Sequence, residues 1–220
     1  MTGRDVPAPG VWGVGCVGGE PWPVSPADIA DEATAAVEHL RSLGVDAGGL
    51  VLIVSRLAET IHVAPLEIAA GRIGARWSSA DATAGDAFRT GSLVRQLQPD
   101  AVIGVRAATV GAIDDVEVFA SVPAVAVADR RAFSALTARG MAPRWWLRLG
   151  PTSAFECEAR AGAHVDGARW RVEAVDGEVV VSSVVDRLTP AVSLRTGVRG
   201  RVVDGPCPCG RRGPRVEPAA

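Results

Sequence analysis

Apolar positions follow a helical spacing over the first part of the chain and change to short alternating runs after residue 140. Over 26–43, Ile29, Ala33, Ala36, Val37, Leu40 and Leu43 recur every three to four residues, the stripe of a helix with one buried face. Ser25 precedes the stripe as an N-cap, Pro26 suits the first helical position, Asp28 falls in the first turn, and Gly44 ends the run. LVLIV at 50–54 is continuously apolar and short, the pattern of a strand buried on both faces. A second helix is expected over 58–71 with Ile61, Leu66, Ile68 and Ala69 inward, and a short strand after Gly74, through Trp77. A third helix is expected over 87–96, anchored by Phe88, Leu93 and Leu97. A strand at 99–105, a short helix at 107–113, a strand at 124–127 and a helix at 130–139 complete the alternation. Strands alternating with helices predict a mainly parallel sheet flanked by helices on both faces.

Beyond Gly140, strand-like runs at 145–149, 154–158, 169–175, 178–184, 191–194 and 200–203 are separated by turns. Asp176-Gly177 between two alternating runs is a hairpin signal. The expected fold is therefore α/β: a subdomain over 10–140, then a small, mainly antiparallel β subdomain over 141–216. The ends, 1–9 and 217–220, are small and Pro-rich and are expected to fray. Stretch 11–23, VWGVGCVGGEPWP, holds four glycines without periodicity and reads as a turn-rich loop before the first helix.

Composition narrows the functional classes. The 220 residues, 48% of them hydrophobic, suffice for one large domain or two small ones. A net charge of −2 gives no electrostatic footprint for nucleic acid, and Arg211, Arg212 and Arg215 read as a solvated tail. No apolar run reaches the roughly 18 residues of a membrane span, and no basic-then-apolar leader opens the chain. The expectation is a cytoplasmic protein with reduced cysteines and no membrane partner.

Candidate chemistry concentrates near the end. Cys207 and Cys209 flank one proline, and Cys157 and His164, with six residues between them, lie earlier in the β region. Thiolate and imidazole are the donors a closed tetrahedral zinc site uses, and the proline stiffens the turn so that both sulfurs can face one ion. The alternative is a set of buried, unpaired cysteines; a disulfide is disfavoured in a reducing compartment. Elsewhere Cys16 is the one nucleophile candidate. His39 and His62 read as half-buried helix histidines, and Trp145-Trp146 as packing residues on opposite strand faces. Asp114-Asp115 and the Asp28/Glu32 pair read as solvated charges.

Three segments, PTSAFECEARAGAHV (151–165), SLRTGVRGRVV (193–203) and PCPCGRRGPR (206–215), resemble the phenylacetate–CoA ligase branch of the adenylate-forming acyl-CoA synthetases, the AMP-binding superfamily. That family carries FEC…LH, RTGD and CPCGR elements in this order. The earlier segments LGVDAGGLVLIV, AAGRIGARW and LVRQLQPDAVIGV are similar to its sheet and helices. The resemblance implies the core of the family's N-terminal domain and a structural Zn2+ on Cys157, His164, Cys207 and Cys209. It also implies that the chain starts at the family's phosphate loop and stops before the small C-terminal domain with its catalytic lysine.

The family's ATP contacts are replaced. Its hydroxyl-rich phosphate loop aligns with 14–21, which has no hydroxyl and carries Glu20 at the lysine position. The glutamate that helps hold magnesium aligns with Leu147, in the stretch 143–147. The ribose-gripping aspartate of RTGD aligns with Val198, after Arg195, Thr196 and Gly197, which are expected to support a turn. Nucleotidyl transfer depends on holding phosphates, metal and ribose in place. ATP and Mg2+ are therefore not expected as cofactors. The expected function is a degenerate, non-adenylating relative that binds a small acyl or aryl ligand, an acyl-CoA, or a partner protein. Two alternatives stand beside it: an ATP-independent acyl-transfer, ligation or cyclisation enzyme reusing the acyl cleft, and a homo-oligomeric interaction module such as a homodimer.

Overall fold

The computed structural model describes residues 10–219. Strands β1 (Gly13–Val17) and β2 (Glu20–Val24) form a hairpin, followed by helix α1 (Pro26–Ser42). Strand β3 (Leu50–Ser55), helix α2 (Thr60–Arg72), strand β4 (Arg76–Asp81), helix α3 (Ala87–Leu97) and strand β5 (Ala101–Val105) come next. Helix α4 (Ala107–Ala112), strand β6 (Ala124–Val127) and helix α5 (Arg130–Thr137) end the alternating part. The rest is β: β7 (Arg144–Leu149), β8 (Thr152–Glu156), β9 (Ala163–His164), β10 (Trp170–Val175), β11 (Glu178–Ser183), β12 (Leu194–Val203) and β13 (Arg215–Pro218).

Apart from the hairpin, the strands make one 11-stranded sheet in the order β10-β11-β12-β13-β9-β8-β7-β6-β5-β3-β4. β4, β3, β5, β6 and β7 are parallel; from β7 to β10 every pairing is antiparallel. Strand direction changes only after β7, at the turn into β8, so the first strand past Gly140 still belongs to the parallel part of a continuous sheet.

Side-chain alternation explains the two covered faces. On β3, Val51 and Ile53 pack with Leu40 of α1 and Leu66 of α2, while Leu52 and Val54 pack with Val94 of α3 and Leu136 of α5. Gly104 of β5 has φ +93 and lies so close to its neighbour that a Cβ would sit 2.1 Å from the Val54 carbonyl oxygen. Helix α1 starts as its sequence predicts, with Ser25 and Asp28 forming a reciprocal capping box.

Several expectations are corrected. Stretch 11–23 is a paired hairpin, not an irregular loop; Gly18 and Gly19, both at positive φ, make its two-residue turn. The hairpin lies on α2, and a Cβ at Gly15 would meet the Ile61 side chain at 2.5 Å. Phe88, Leu97 and Ile68 are exposed; α3 instead buries Ala87, Thr90, Gly91 and Val94, a stripe of smaller residues shifted by one position. The runs 191–194 and 200–203 are not two strands, because β12 runs unbroken from Leu194 to Val203. Glu217 and Pro218, expected to fray, pair with Arg201 and Gly200; residues 1–9 and 220 lie outside the described residues.

Candidate metal centre

Cys157 directly follows β8, and a turn with Arg160 and Gly162 at positive φ reverses the chain into β9. His164 thereby pairs with Phe155 on one side and Arg215 on the other. Cys207 and Cys209 lie in the loop joining β12 to β13. That loop is closed by Cys207 N–H donating to the Arg211 carbonyl and Gly210 N–H to the Cys207 carbonyl, both at 2.9 Å. Three strands of the sheet therefore fix where the four side chains meet.

The Cys157 and Cys207 sulfurs are 3.7 Å apart, far beyond a covalent S–S bond, and all four cysteines are free. Cys209 Sγ is 3.5 Å from His164 Nε2. All four donor atoms lie within 4.8 Å of one another, and all but Cys209 are buried. Burial, then the charges of Arg211 and Arg215, push His164 down to about 4, so its ring is neutral at pH 7. Burial pushes the Cys157 thiol up. Burial also opposes ionisation of Cys209, but hydrogen bonds from the Arg211 backbone and side chain and from the other thiols bring it down to about 7. The quartet named by the sequence is thus brought together, and it could hold a metal ion.

The other candidates are dispersed. Cys16 is exposed on the hairpin. His39 is fully buried on α1 and stacks on Phe155 at 4.7 Å; burial pushes its ring down to about 3. His62 is buried on α2 with Nδ1 3.1 Å from Ser153 Oγ, and burial, then Arg148, pushes it down to about 4. Trp145 stacks on Phe133 and Trp146 packs near Phe155, on opposite faces of β7. Glu20 is exposed beside the hairpin turn, Leu147 is buried in the apolar cluster of the antiparallel half, and Val198 lies half-buried on β12. Arg195 pairs with Glu178, and Thr196 donates to the Val179 carbonyl at 2.8 Å, both bracing β12 against β11.

Two buried ionic groups were not legible in the sequence. Glu32, expected to be solvated, accepts hydrogen bonds from Trp170 Nε1, Thr152 Oγ1 and Arg187 Nη2 at 2.7–2.8 Å; the Arg187 guanidinium also stacks over Trp170. Asp28, the capping-box partner of Ser25, is buried as well. Glu59, just before α2, accepts from Arg106 Nη2 at 2.6 Å and from Arg148, and takes the Arg56 N–H. Burial works against its ionisation, but Arg148, that N–H and Arg106 together hold its carboxyl below the usual range. This cluster sits at the carboxyl ends of β3 and β5, where open α/β sheets form their ligand crevices. Arg215 is the third surprise: it is 5% exposed, not part of a solvated tail.

No protein-family model and no curated protein matches the sequence. Solved structures do. A 2-hydroxyisobutyryl-CoA ligase in an open conformation, in complex with 2-HIB-AMP and CoA, superposes with a TM-score of 0.74 at 17% identity, over 96% of this chain and 53% of that one. An anthranilate–CoA ligase in complex with anthranoyl-AMP gives 0.63 at 15% identity, over 86% of this chain and 45% of that one. A protein described as a long-chain-fatty-acid CoA ligase from Rhodopseudomonas palustris gives 0.61 at 15%, over 94% and 58%. The chain spans about half the length of these neighbours and shares their fold. Among its described residues, no helix is long and apolar enough to cross a membrane.

Proposed function

We propose that this chain is a ligase-fold protein that binds a small acyl or aryl ligand, or its CoA thioester, without adenylating it. The observation that carries this reading is the fate of the three nucleotide contacts within a CoA-ligase fold. Glu20 puts negative charge where phosphate would need a cation. Leu147 is 6% exposed among apolar side chains and offers no oxygen donor to magnesium. Val198 has no acceptor for a ribose. The phosphate-loop stretch is paired as a two-stranded hairpin, in which Pro21 and Pro23 have no N–H to offer a phosphate.

In this reading the Cys157, His164, Cys207 and Cys209 quartet holds a structural zinc. Tetrahedral zinc with bonds of about 2.3 Å to sulfur and 2.0–2.1 Å to nitrogen separates two sulfurs by about 3.8 Å and a sulfur from a nitrogen by about 3.5 Å. The 3.7 and 3.5 Å separations here match both. Four protein donors leave no open position, which suits a staple and not a catalytic metal.

The test is ATP–pyrophosphate exchange across a panel of aryl and short acyl acids, run beside thermal-shift titrations with the same acids and their CoA thioesters. No exchange is expected, together with a saturable rise in Tm for at least one ligand. Substrate-dependent exchange would overturn the reading.

A further inference from the structure

We infer that Arg215, with Arg211 beside it, is the counter-charge of the metal centre, an outer-shell cation that makes the three-cysteine site a stable one. The inference rests on the zinc reading above.

Arg215 is the first residue of β13 and is registered directly opposite His164 on β9. Residues facing each other across paired strands share a sheet face, so the Arg215 side chain runs along the metal side of the sheet. Its guanidinium is within Coulombic reach of the His164 ring, as is that of Arg211. Arg215 is 95% buried by its 5% exposure, yet its Nε and Nη1 have no hydrogen-bond partner among the described residues. A buried guanidinium without an anion is costly, because its hydration is lost and nothing replaces it. Arg211 repeats the pattern: its Nη2 is buried without a partner, while its side chain lies against the Cys209 thiol. Among the described residues neither arginine forms an ion pair with a carboxylate, unlike Arg169, which lines the same cavity as His164 and Arg211 and is paired with Asp166 and Asp31.

The missing anion follows from the donor set. Three thiolates and one neutral imidazole around a dication carry a net charge of −1, and thiolate sulfurs accept hydrogen bonds from N–H groups. Loaded with metal, the centre supplies the negative charge that the two guanidiniums lack. Without metal, Arg215 is left as a buried cation whose Nε and Nη1 have no partner among the described residues. Arg215 is thus a positioning residue that acts through the metal ligands. It differs from a packing residue in one respect: neutralising it weakens metal binding while relieving the metal-free protein.

The test measures zinc affinity by competition with a chromophoric chelator, and the Tm of the metal-free protein, for wild type, Arg215→Met, Arg215→Lys and Arg212→Gln, the last an exposed control. Arg215→Met is expected to bind zinc roughly 10–100-fold more weakly, the usual cost of losing an outer-shell partner. Arg215→Lys should recover part of that loss, Arg212→Gln should match wild type, and the metal-free Arg215→Met protein should melt no earlier than metal-free wild type. Zinc affinity unchanged in Arg215→Met, or weakened together with earlier melting of its metal-free form, would overturn the inference. Wild-type protein that takes up less than one zinc per chain would overturn the metal reading as well, and so separates the two failures.

Discussion

Strand β3 and strand β12 belong to one sheet but are held in different ways. All but the last residue of β3 are buried, because α1 and α2 cover one face of the parallel half and α3, α4 and α5 cover the other. None of the ten residues of β12 is fully buried, and they alternate between half-buried and exposed; most of the antiparallel half packs on one apolar cluster around Trp170, Leu149 and Val181, while Phe155 of β8 joins the core of the parallel half. Its ion pairs, Arg195 with Glu178 and Arg201 with Glu217, involve exposed arginines, and such pairs contribute little. The comparison teaches where a cross-link is useful. A sheet covered on both faces is stabilised by apolar burial at about 25 cal/mol per Å². A sheet with one thin core has less of that to draw on, and here the Cys/His quartet joins its β8, β9 and β12–β13 segments at one point.

The comparison breaks most directly on metal removal. Chelation, or Cys207→Ser, is expected to cost on the order of 5 kcal/mol, below the roughly 10–16 kcal/mol of isolated zinc-finger peptides because the strands already pair. Hydrogen exchange should then show lost protection in β8, β9 and β13 while β3 and β5 stay protected. Simultaneous loss in all five strands would mean one cooperative unit and no division of labour.

A smaller effect is expected from Glu59→Gln, which leaves Arg106 buried without its carboxylate on the parallel side. Breaking a buried pair of this kind costs about 3–5 kcal/mol. Urea unfolding that shows less than about 1 kcal/mol would place the Glu59 cluster among solvated surface networks instead.

The smallest effect is a pH slope. The folded chain holds His62 near 4 and the unfolded chain near 6.5, so the folded form favours the neutral ring. The stability this contributes is fully present above pH 6.5 and is lost as pH falls from there toward 4, because the unfolded state binds a proton that the folded state does not. The loss amounts to at most about 3 kcal/mol. His62→Gln should flatten the dependence of the urea midpoint by about one proton between pH 7 and 5; an unchanged slope would show that His62 titrates normally in the fold.

Much of this molecule is local information. Ser25-Pro26-Ala27-Asp28 dictates where α1 begins because the cap and its acceptor are three residues apart. The apolar run at 50–54 and the Asp176-Gly177 turn are read the same way, from period and from the positive φ both turn residues adopt. The Cys/His quartet was legible from its donor types together with the resemblance of 151–165 and 206–215 to a family with such elements. Where local reading failed, it did so by small margins with large consequences. On α3 it followed Phe88 and Leu97, the largest side chains, while packing against Ile113 at Gly91 requires the small stripe one position away.

What the sequence alone determined is the alternation of strands and helices, their caps and turns, and the chemistry of the donor set. Only the tertiary structure decided which charges are buried and with whom. Glu32 meets Arg187 across 155 positions, Glu59 meets Arg106 across 47, and Arg215 meets His164 because β13 lies beside β9. Hydrophobic periodicity records how each element faces a core. It carries no record of which distant element will bring the opposite charge, since that depends on strand order, and strand order is set by the packing of the whole sheet.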